Sequence, residues 1–280
     1  MTVIIPHFNH LDGLERMLSS TVPMGVRVVV ADDKSNSTVS VGLKELVSNY
    51  SHVQLLHNRS SQKGAGVARN IGLNECKTKW VLFADADDWF LENAGQVLRD
   101  KLHENKNADV IYFSPVSAFD GLLNVGEQSQ RHELYEKLVK NYLANGDEAI
   151  RYQYYSPCSK VLNVHFLKEN NIQFDSCIAA NDIMFSLKSG FFANKIKAYN
   201  DNIYLITEGS NSLTKQKSKK VIRARFLAVM RYNRFLKDSC KKKHYQRNLL
   251  RTVRQYSIEV KIVSIVFLLR RFIGSKWRII

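Results

Sequence analysis

The sequence predicts an α/β fold with a mostly parallel, doubly wound, Rossmann-like sheet. Three apolar runs rich in β-branched residues each end in polar residues and are expected to be strands, at Thr2–Ile5, Val26–Ala31 and Val81–Ala84. Stretches with helical spacing lie between them, at Leu11–Ser20, Ser40–Tyr50 and Gly66–Cys76. Strand–helix alternation of this kind builds a parallel sheet. At 280 residues the chain can bury a full α/β core and a small appendage.

Further elements extend this pattern. Strands are expected at Val53–His57 and Asp109–Ser114, and short helices at Ser159–Asn170 and Asn181–Gly190. Ligands of such sheets bind beyond the carboxyl ends of the strands. The polar residues at 6–9, 32–33 and 85–88 all follow expected strands, so they are predicted to converge on one cleft.

Three carboxylates follow one of the buried strands within four positions: Asp85, Asp87 and Asp88. Crowded carboxylates repel one another unless a cation or hydrogen-bond donors offset their charge. Hard oxygen ligands of this kind suit Mg²⁺ or Mn²⁺ held together with substrate phosphates. The alternative is a solvated acidic turn, with Asp88 as the N-cap of a helix over Trp89–Arg99.

The net charge of +15 is concentrated at one end of the chain. Residues 215–280 hold 20 Lys and Arg against two acidic residues, whereas residues 1–214 hold 21 basic and 24 acidic side chains. The boundary is expected at Thr214–Ser218, where long basic helices begin. Such a segment favours anionic partners.

The four cysteines are widely spaced, with no CxxC pair, and indicate the reduced thiols of a cytoplasmic protein. No signal peptide is expected, because the first strand already begins at Thr2.

Five motifs, in order, resemble those of the inverting glycosyltransferases of family 2, which have a GT-A fold. The opening strand with Pro6-His7-Phe8-Asn9 is similar to that family's first motif, and Val29–Ser35 is similar to V-V-D-D-G-S. The remaining motifs are Gly64–Gly72, which resembles G-x-x-x-A-R-N-x-G, then Phe83–Asp88, and finally Ala180–Phe185. The resemblance covers roughly residues 2–190. It implies a GT-A domain over 1–214, with a nucleotide-sugar-binding half at 1–110 and an acceptor-binding half at 111–214.

The resemblance implies that the first two motifs bind the nucleotide. Asp33 is expected to accept the imide N–H of a uracil, because a carboxylate is an acceptor only. Its alternative role is an Asx turn or the cap of the helix from Ser40. We expect Pro6, Phe8 and Asn9 to form the floor of the pocket that binds the base. Alternatively, Phe8 packs in the hydrophobic core.

The later motifs are assigned to the diphosphate and the chemistry. Arg69 is expected to contact the ribose–diphosphate end or to pair with an aspartate of the acidic loop. The resemblance implies that Asp85 contacts the ribose side of the nucleotide and that Asp87 binds a divalent metal, Mn²⁺ or Mg²⁺. Asp182 is the expected general base, with Asn181 replacing the usual Glu beside it. The alternative is that Asn181-Asp182 merely caps the following helix.

The basic tail at 215–280 lies outside the resemblance. Its apolar stretch Val260–Leu269 is too short to cross a bilayer, which takes about 20 residues. Flanking basic residues favour an interfacial helix on an anionic membrane surface. Nucleic-acid binding would use the same charge, but no nucleic-acid module accompanies it, so no nucleic acid is expected. A solvated helical subdomain is the third possibility.

Together these observations predict a metal-dependent inverting glycosyltransferase that moves a sugar from a nucleotide-sugar donor, expected to be a UDP-sugar. The acceptor would be a glycan or a lipid-linked glycan in cell-surface polysaccharide biosynthesis, at the inner face of the cell membrane. Two alternatives are a sugar-phosphate nucleotidyltransferase and a non-enzymatic basic module that binds nucleotide or RNA. The first normally carries a glycine- and arginine-rich loop where Pro6–Asn9 stands, and the second leaves Asp85, Asp87 and Asp182 without a role.

Overall fold

A computed structural model describes residues 1–119, 129–209, 218–239 and 242–248. One eight-stranded sheet runs in the order β3-β2-β1-β4-β7-β6-β8-β5. The strands are β1 Thr2–His7, β2 Arg27–Asp32, β3 Val53–His57, β4 Trp80–Phe83, β5 Trp89–Phe90, β6 Val110–Phe119, β7 Lys160–Asn163 and β8 Ile196–Glu208. The helices are α1 Leu11–Thr21, α2 Ser37–Ser48, α3 Ala65–Glu75, α4 Ala94–Glu104, α5 Glu133–Asn145, α6 Ala149–Gln153, α7 Val164–Glu169, α8 Ile183–Phe192 and α9 Lys219–Asp238. The predicted α/β fold is confirmed.

The first half of the sheet is parallel throughout, since β1 pairs with β2 and β4, and β2 pairs with β3. Successive residues of β1 are buried on opposite faces. Val3 and Ile5 belong to the core layer that contains Leu14 of α1, whereas Ile4 belongs to the layer that contains Leu73 of α3. Helices therefore cover both faces, and the polar residues that follow β1, β2 and β4 lie at one edge.

The second half is mixed, and here one prediction was wrong. The segment predicted as a helix over Ser159–Asn170 begins as β7, which pairs antiparallel with both β4 and β6. Val161 and Leu162 are completely buried between those strands. Helix α7 starts only after Asn163, whose side chain accepts hydrogen bonds from the first backbone N–H groups of the helix.

The predicted capping role of Asp88 was also wrong. Trp89 and Phe90 form β5, which pairs antiparallel with β8, and α4 begins five residues later, at Ala94. The Asp88 carboxylate is buried and accepts hydrogen bonds from β8, so it does not cap a helix.

Within the basic tail, α9 packs on α8. Ala228, Tyr232 and Leu236 form a buried cluster with Ile183 and Leu187 of α8. The predicted interfacial stretch Val260–Leu269 lies outside the described residues. In the described part of the chain, no helix is long and apolar enough to cross a membrane.

Candidate active site

Asp33 lies directly beyond β2 and is only 4% exposed. Its Oδ1 accepts a hydrogen bond from Asn58 Nδ2 at 2.7 Å, and its Oδ2 accepts one from the backbone N of Gly64 at 2.7 Å. It caps no helix, because Asn36 caps α2. These two hydrogen bonds hold the Asp33 carboxylate in one orientation. Each of its oxygens has a second lone pair, so the carboxylate can still accept a hydrogen bond from a ligand.

The loop after β1 presents Phe8 and Asn9 at the same edge. The Phe8 side chain is 47% exposed, which excludes a core role. The Lys63 ammonium lies 3.6 Å from the centre of its ring. Asn9 has a left-handed backbone, with φ of 52°, and its Oδ1 accepts a hydrogen bond from the backbone N of Asn36 at 2.9 Å. Pro6 is half-buried at the end of β1, opposite Ala31 of β2.

Arg69 joins the acidic loop to the segment before α8. Its side chain is 7% exposed; one guanidinium nitrogen donates to Asp85 Oδ1 at 2.5 Å, and the other terminal nitrogen donates to Asn181 Oδ1 at 2.9 Å. Burial alone would lower the pKa of Arg69, but Asp85 and Asp182 outweigh it, so the pKa is raised and the guanidinium stays charged. The predicted pairing with the acidic loop is present, and Asn181 takes part in it.

A glycine allows this approach of α3. A Cβ on Gly66 would lie 2.4 Å from the carbonyl oxygen of Asp175 and 2.9 Å from the Cβ of Asn181. Only a residue without a side chain lets the first turn of α3 touch the backbone that leads to Asp182.

Tyr204 of β8 holds the acidic loop from the other side. Its hydroxyl donates to Asp88 Oδ2 at 2.7 Å and accepts from the backbone N of Asp85 at 2.9 Å. The backbone N of Thr207 donates to the other oxygen of Asp88 at 2.7 Å. Burial, together with the charges of Asp87 and Asp85, raises the pKa of Asp88 well above its usual range. Asp88 is therefore a structural anchor of the loop.

Asp87 is the carboxylate of this loop best suited to a divalent cation. Within the described part of the chain, no other residue donates a hydrogen bond to its carboxylate, although Arg16 donates to its backbone carbonyl at 2.7 Å. Burial and the charge of Asp85 raise its pKa. A hard cation would offset that unfavourable charge, so the residues present fit Mg²⁺ or Mn²⁺.

Asp85, Asp88 and Cys158 form a second cluster, with ligand atoms within 4.8 Å of one another. Both oxygens of Asp88 already accept hydrogen bonds, and Asp85 is paired with Arg69. Burial and the Asp85 charge raise the pKa of the Cys158 thiol well above its usual range, so the thiol stays protonated. This donor set does not suit Mg²⁺ or Mn²⁺.

Asp182 occupies the position before the first turn of α8, but its side chain makes no capping hydrogen bond. The carboxylate is therefore available for other interactions, which disfavours the alternative that Asp182 merely caps the helix. Burial raises its pKa, while the positive charges of Arg69 and Lys160 act in the opposite direction. A carboxylate with a raised pKa is a stronger base, as proton abstraction from a hydroxyl requires.

Three contributors escaped the sequence analysis: Asn58, Tyr204 and Lys160. Asn58 and Tyr204 act through contacts with residues 25 and 119 positions away, which no local pattern indicates. Lys160 is completely buried at the start of β7. A lysine directly before the apolar pair Val161-Leu162 was its only sequence signal.

The order of the strands, with helices on both faces of the sheet, is that of a GT-A-type α/β fold. Residues 2–170 match the model of Glycosyl transferase family 2, and the chain belongs to that family.

Several known proteins resemble this chain. The Mycobacterium tuberculosis pre-mycofactocin glycosyltransferase is 39% identical over 87 residues, which are 31% of this chain and 17% of the relative. The chain thus matches only about a sixth of that relative's length. Among solved structures, residues 1–349 of S. aureus TarS in complex with UDP-GlcNAc have a TM-score of 0.65 at 21% identity, covering 87% of this chain and 68% of that TarS chain. The Pyrobaculum calidifontis mannosyltransferase PcManGT, in complex with GDP-Man and Mn²⁺, has a TM-score of 0.59 at 12% identity, covering 96% of this chain and 79% of the other. These likenesses show the same fold.

Proposed function

We propose that this chain transfers a sugar from a UDP-sugar to a hydroxyl acceptor with inversion of configuration, in the presence of Mn²⁺ or Mg²⁺. The observation that carries the proposal is the Arg69 bridge, which ties Asp85 of the acidic loop to Asn181, the neighbour of Asp182. A donor held by the acidic loop would then lie beside the proposed base. The UDP-GlcNAc complex of TarS supports a UDP-linked donor for a chain of this fold.

Asp33, in its fixed orientation, would accept the imide N–H of the uracil, and the exposed ring of Phe8 would stack on the base. Pro6 and Asn9 shape the loop that carries Phe8. Arg69 would hold Asp85 at the ribose side of the nucleotide. All of these residues lie at the edge where β1, β2 and β4 end.

Asp87 would hold the divalent metal, and the metal would neutralise the charge that develops on the departing nucleoside diphosphate. The Mn²⁺ complex of PcManGT supports a metal of this kind. Asp182 would take the proton of the acceptor hydroxyl as that oxygen attacks the anomeric carbon from the face opposite the leaving group. Because the diphosphate is a good leaving group, no second carboxyl group is needed to protonate it.

For the acceptor we propose a glycan or a lipid-linked glycan of the cell surface, met at the inner face of the cell membrane. The support is the charge of the tail, in which 20 Lys and Arg stand against two acidic residues within 215–280. An anionic membrane attracts such a segment with about 1 kcal/mol per basic residue near the surface.

A donor screen tests the proposal. Thermal melting in Mn²⁺ with UDP, GDP and their sugars should show the largest stabilisation by the UDP compounds, because ligand bound to the native state raises its stability. The anomeric configuration of the product, read by NMR, should be inverted relative to the donor. Stabilisation by GDP compounds alone would overturn the uracil assignment, and a retained configuration would overturn the single-displacement mechanism.

A further inference from the structure

Lys160 is a buried cation close to the active site that none of the roles above uses. Its side chain is completely buried, and its ammonium donates to the backbone carbonyl of Tyr154 at 3.1 Å and to Ser186 Oγ at 3.0 Å. The ammonium lies 5.1 Å from the ring centre of Tyr154 and 5.7 Å from that of Tyr112. Because it has no exposed surface, Lys160 cannot bind a substrate directly.

A buried ammonium is costly unless a negative charge compensates it. No described carboxylate lies within 4.0 Å of Lys160, so it forms no direct ion pair with the part of the chain that the structure shows. Burial lowers the pKa of Lys160 to about 7, and the charge that most opposes this is that of Asp182. The charge of each group therefore favours the charged form of the other.

The contact with Ser186 connects Lys160 to the turn of α8 that begins at Asp182. The backbone N of Ser186 donates to the backbone carbonyl of Asp182 at 2.8 Å, and Ser186 Oγ donates to the carbonyl of Tyr155 at 2.6 Å. Ser186 thus accepts from Lys160 and donates to Tyr155, a chain of hydrogen bonds that fixes the first turn of the helix.

We infer that Lys160 is a positioning residue for Asp182: its ammonium anchors the first turn of α8 through Ser186, and its positive charge favours the ionised Asp182 carboxylate in addition to the charge of Arg69. This inference rests on the proposed role of Asp182 as the base. It assigns the lysine to the acceptor-activating step and not to donor binding.

Other charged and titratable groups also act on Asp182. Arg69 faces Asp182 from α3 and is the charge that most lowers the pKa of Asp182, but it is also ion-paired with Asp85, whose own charge raises that pKa. The remaining groups are the neutral phenol of Tyr135 on α5 and the thiol of Cys177 in the preceding loop. Lys160 therefore adds a second positive charge near Asp182, and this charge forms no ion pair with a carboxylate of the described residues.

The test compares two variants of the full chain, Lys160→Met and Ser186→Ala. Methionine keeps the length of the side chain and removes the charge, whereas Ser186→Ala removes the anchor and keeps the charge.

The pKa of Asp182 is read from ¹³C-carboxyl NMR of metal-free protein labelled at aspartate, with Asp182→Asn identifying the resonance. Lys160→Met should raise the titration midpoint of Asp182 by about one pH unit, the low end of the effect of a nearby opposite charge. Ser186→Ala should leave it within about 0.3 units of wild type, well below that charge effect.

The same variants have a kinetic consequence. In Lys160→Met the acid limb of the pH–rate profile for release of UDP from UDP-GlcNAc in Mn²⁺ should move to higher pH with the NMR midpoint. The dissociation constant for UDP should change less than about twofold, because Lys160 has no access to the ligand. An unchanged Asp182 midpoint in Lys160→Met, or equal shifts in both variants, would overturn the inference.

If Lys160→Met does not fold, the reciprocal measurement decides. Thermodynamic coupling requires that Asp182→Asn lower the titration midpoint of Lys160 from about 7, read from ¹³Cε-labelled lysine. An unchanged lysine midpoint would overturn the inference. Failure of the proposed function is separate: turnover that survives Asp182→Asn would remove the base role even if the two groups prove to be coupled.

Discussion

The hydroxyl of Tyr204 holds the acidic loop in place, and the substitution Tyr204→Phe removes that hydroxyl. The tyrosine is completely buried, and its oxygen bridges the Asp88 carboxylate and the backbone N–H of Asp85. The phenylalanine would keep the packing of the ring against Phe90, whose centre lies 5.3 Å away. The substitution thus isolates the two hydrogen bonds.

The size of the effect follows from the groups left behind. The Asp85 N–H loses its acceptor, and Asp88 keeps only the hydrogen bond from Thr207. A buried polar group left unsatisfied costs about 1–3 kcal/mol, so the free energy of unfolding should fall by roughly 2–4 kcal/mol. For a domain of this size that is a fall in Tm of roughly 5–12 °C.

The loss of stability caused by Tyr204→Phe should also depend on pH. Burial raises the pKa of Asp88, so the native state holds this group protonated to higher pH than the unfolded chain does. Its contribution to stability is thus present at low pH and lost as pH rises through the folded pKa. The Tyr204 hydroxyl favours the ionised carboxylate, so its removal should cost more above that pKa than below it.

The assays are thermal unfolding at several pH values and release of UDP from UDP-GlcNAc in Mn²⁺. The matched control is Tyr199→Phe on the same strand, which loses a hydrogen bond from Asn105 at 2.7 Å but touches no residue of the site. We expect both variants to melt earlier and only Tyr204→Phe to lose turnover, by at least tenfold, since its loop is displaced. Equal turnover in the two variants would refute the argument that Tyr204 positions the acidic loop.

Three further predictions concern the metal ligand, the glycine contact and the tail. Asp87→Asn should abolish Mn²⁺-dependent binding of UDP by calorimetry and leave the Tm equal or higher at neutral pH, because burial and Asp85 already disfavour that charge; unchanged affinity would remove Asp87 from the metal site. Gly66→Ala should lower stability by about 1–3 kcal/mol, since its Cβ would lie 2.4 Å from a backbone oxygen; a Tm equal to wild type would contradict the close approach. A chain ending at residue 248 keeps α9 on α8 and should fold and bind UDP, yet lose attachment to anionic liposomes, because seven basic residues and Val260–Leu269 are removed; retained attachment would place membrane binding elsewhere.

Much of the fold could be predicted from the sequence because it is encoded locally. Strands β1, β2 and β3 are short apolar runs, and each is followed by a helix with its own spacing; β4 is a further apolar run that ends shortly before Asp85. Since carboxyl ends of parallel strands meet at one edge, the convergence of Asp33, Phe8 and Asp85 followed from order alone. The pairing of Arg69 with the acidic loop was among the expected alternatives for the same reason.

The errors arose where distant segments decide the structure. Asp88 has the spacing of a helix cap, but β8 supplies a hydroxyl and a backbone N–H from residues 116 and 119 positions away. The segment from Ser159 has helical composition, but Lys160–Asn163 fills the gap between β4 and β6 and becomes a strand. Tertiary pairing overrides local propensity at both places.

The central claim is that Asp182 activates the acceptor for a donor held at the acidic loop, and one measurement tests it directly. Release of UDP from UDP-GlcNAc in Mn²⁺, with water as the acceptor, is compared between wild type and Asp182→Asn, alongside the affinity of each for UDP. We predict a turnover lower by about 10²–10⁴-fold in the variant, the usual cost of a lost general base, with UDP affinity close to wild type. Unchanged turnover in the variant, or an affinity that collapses together with turnover, would contradict the claim.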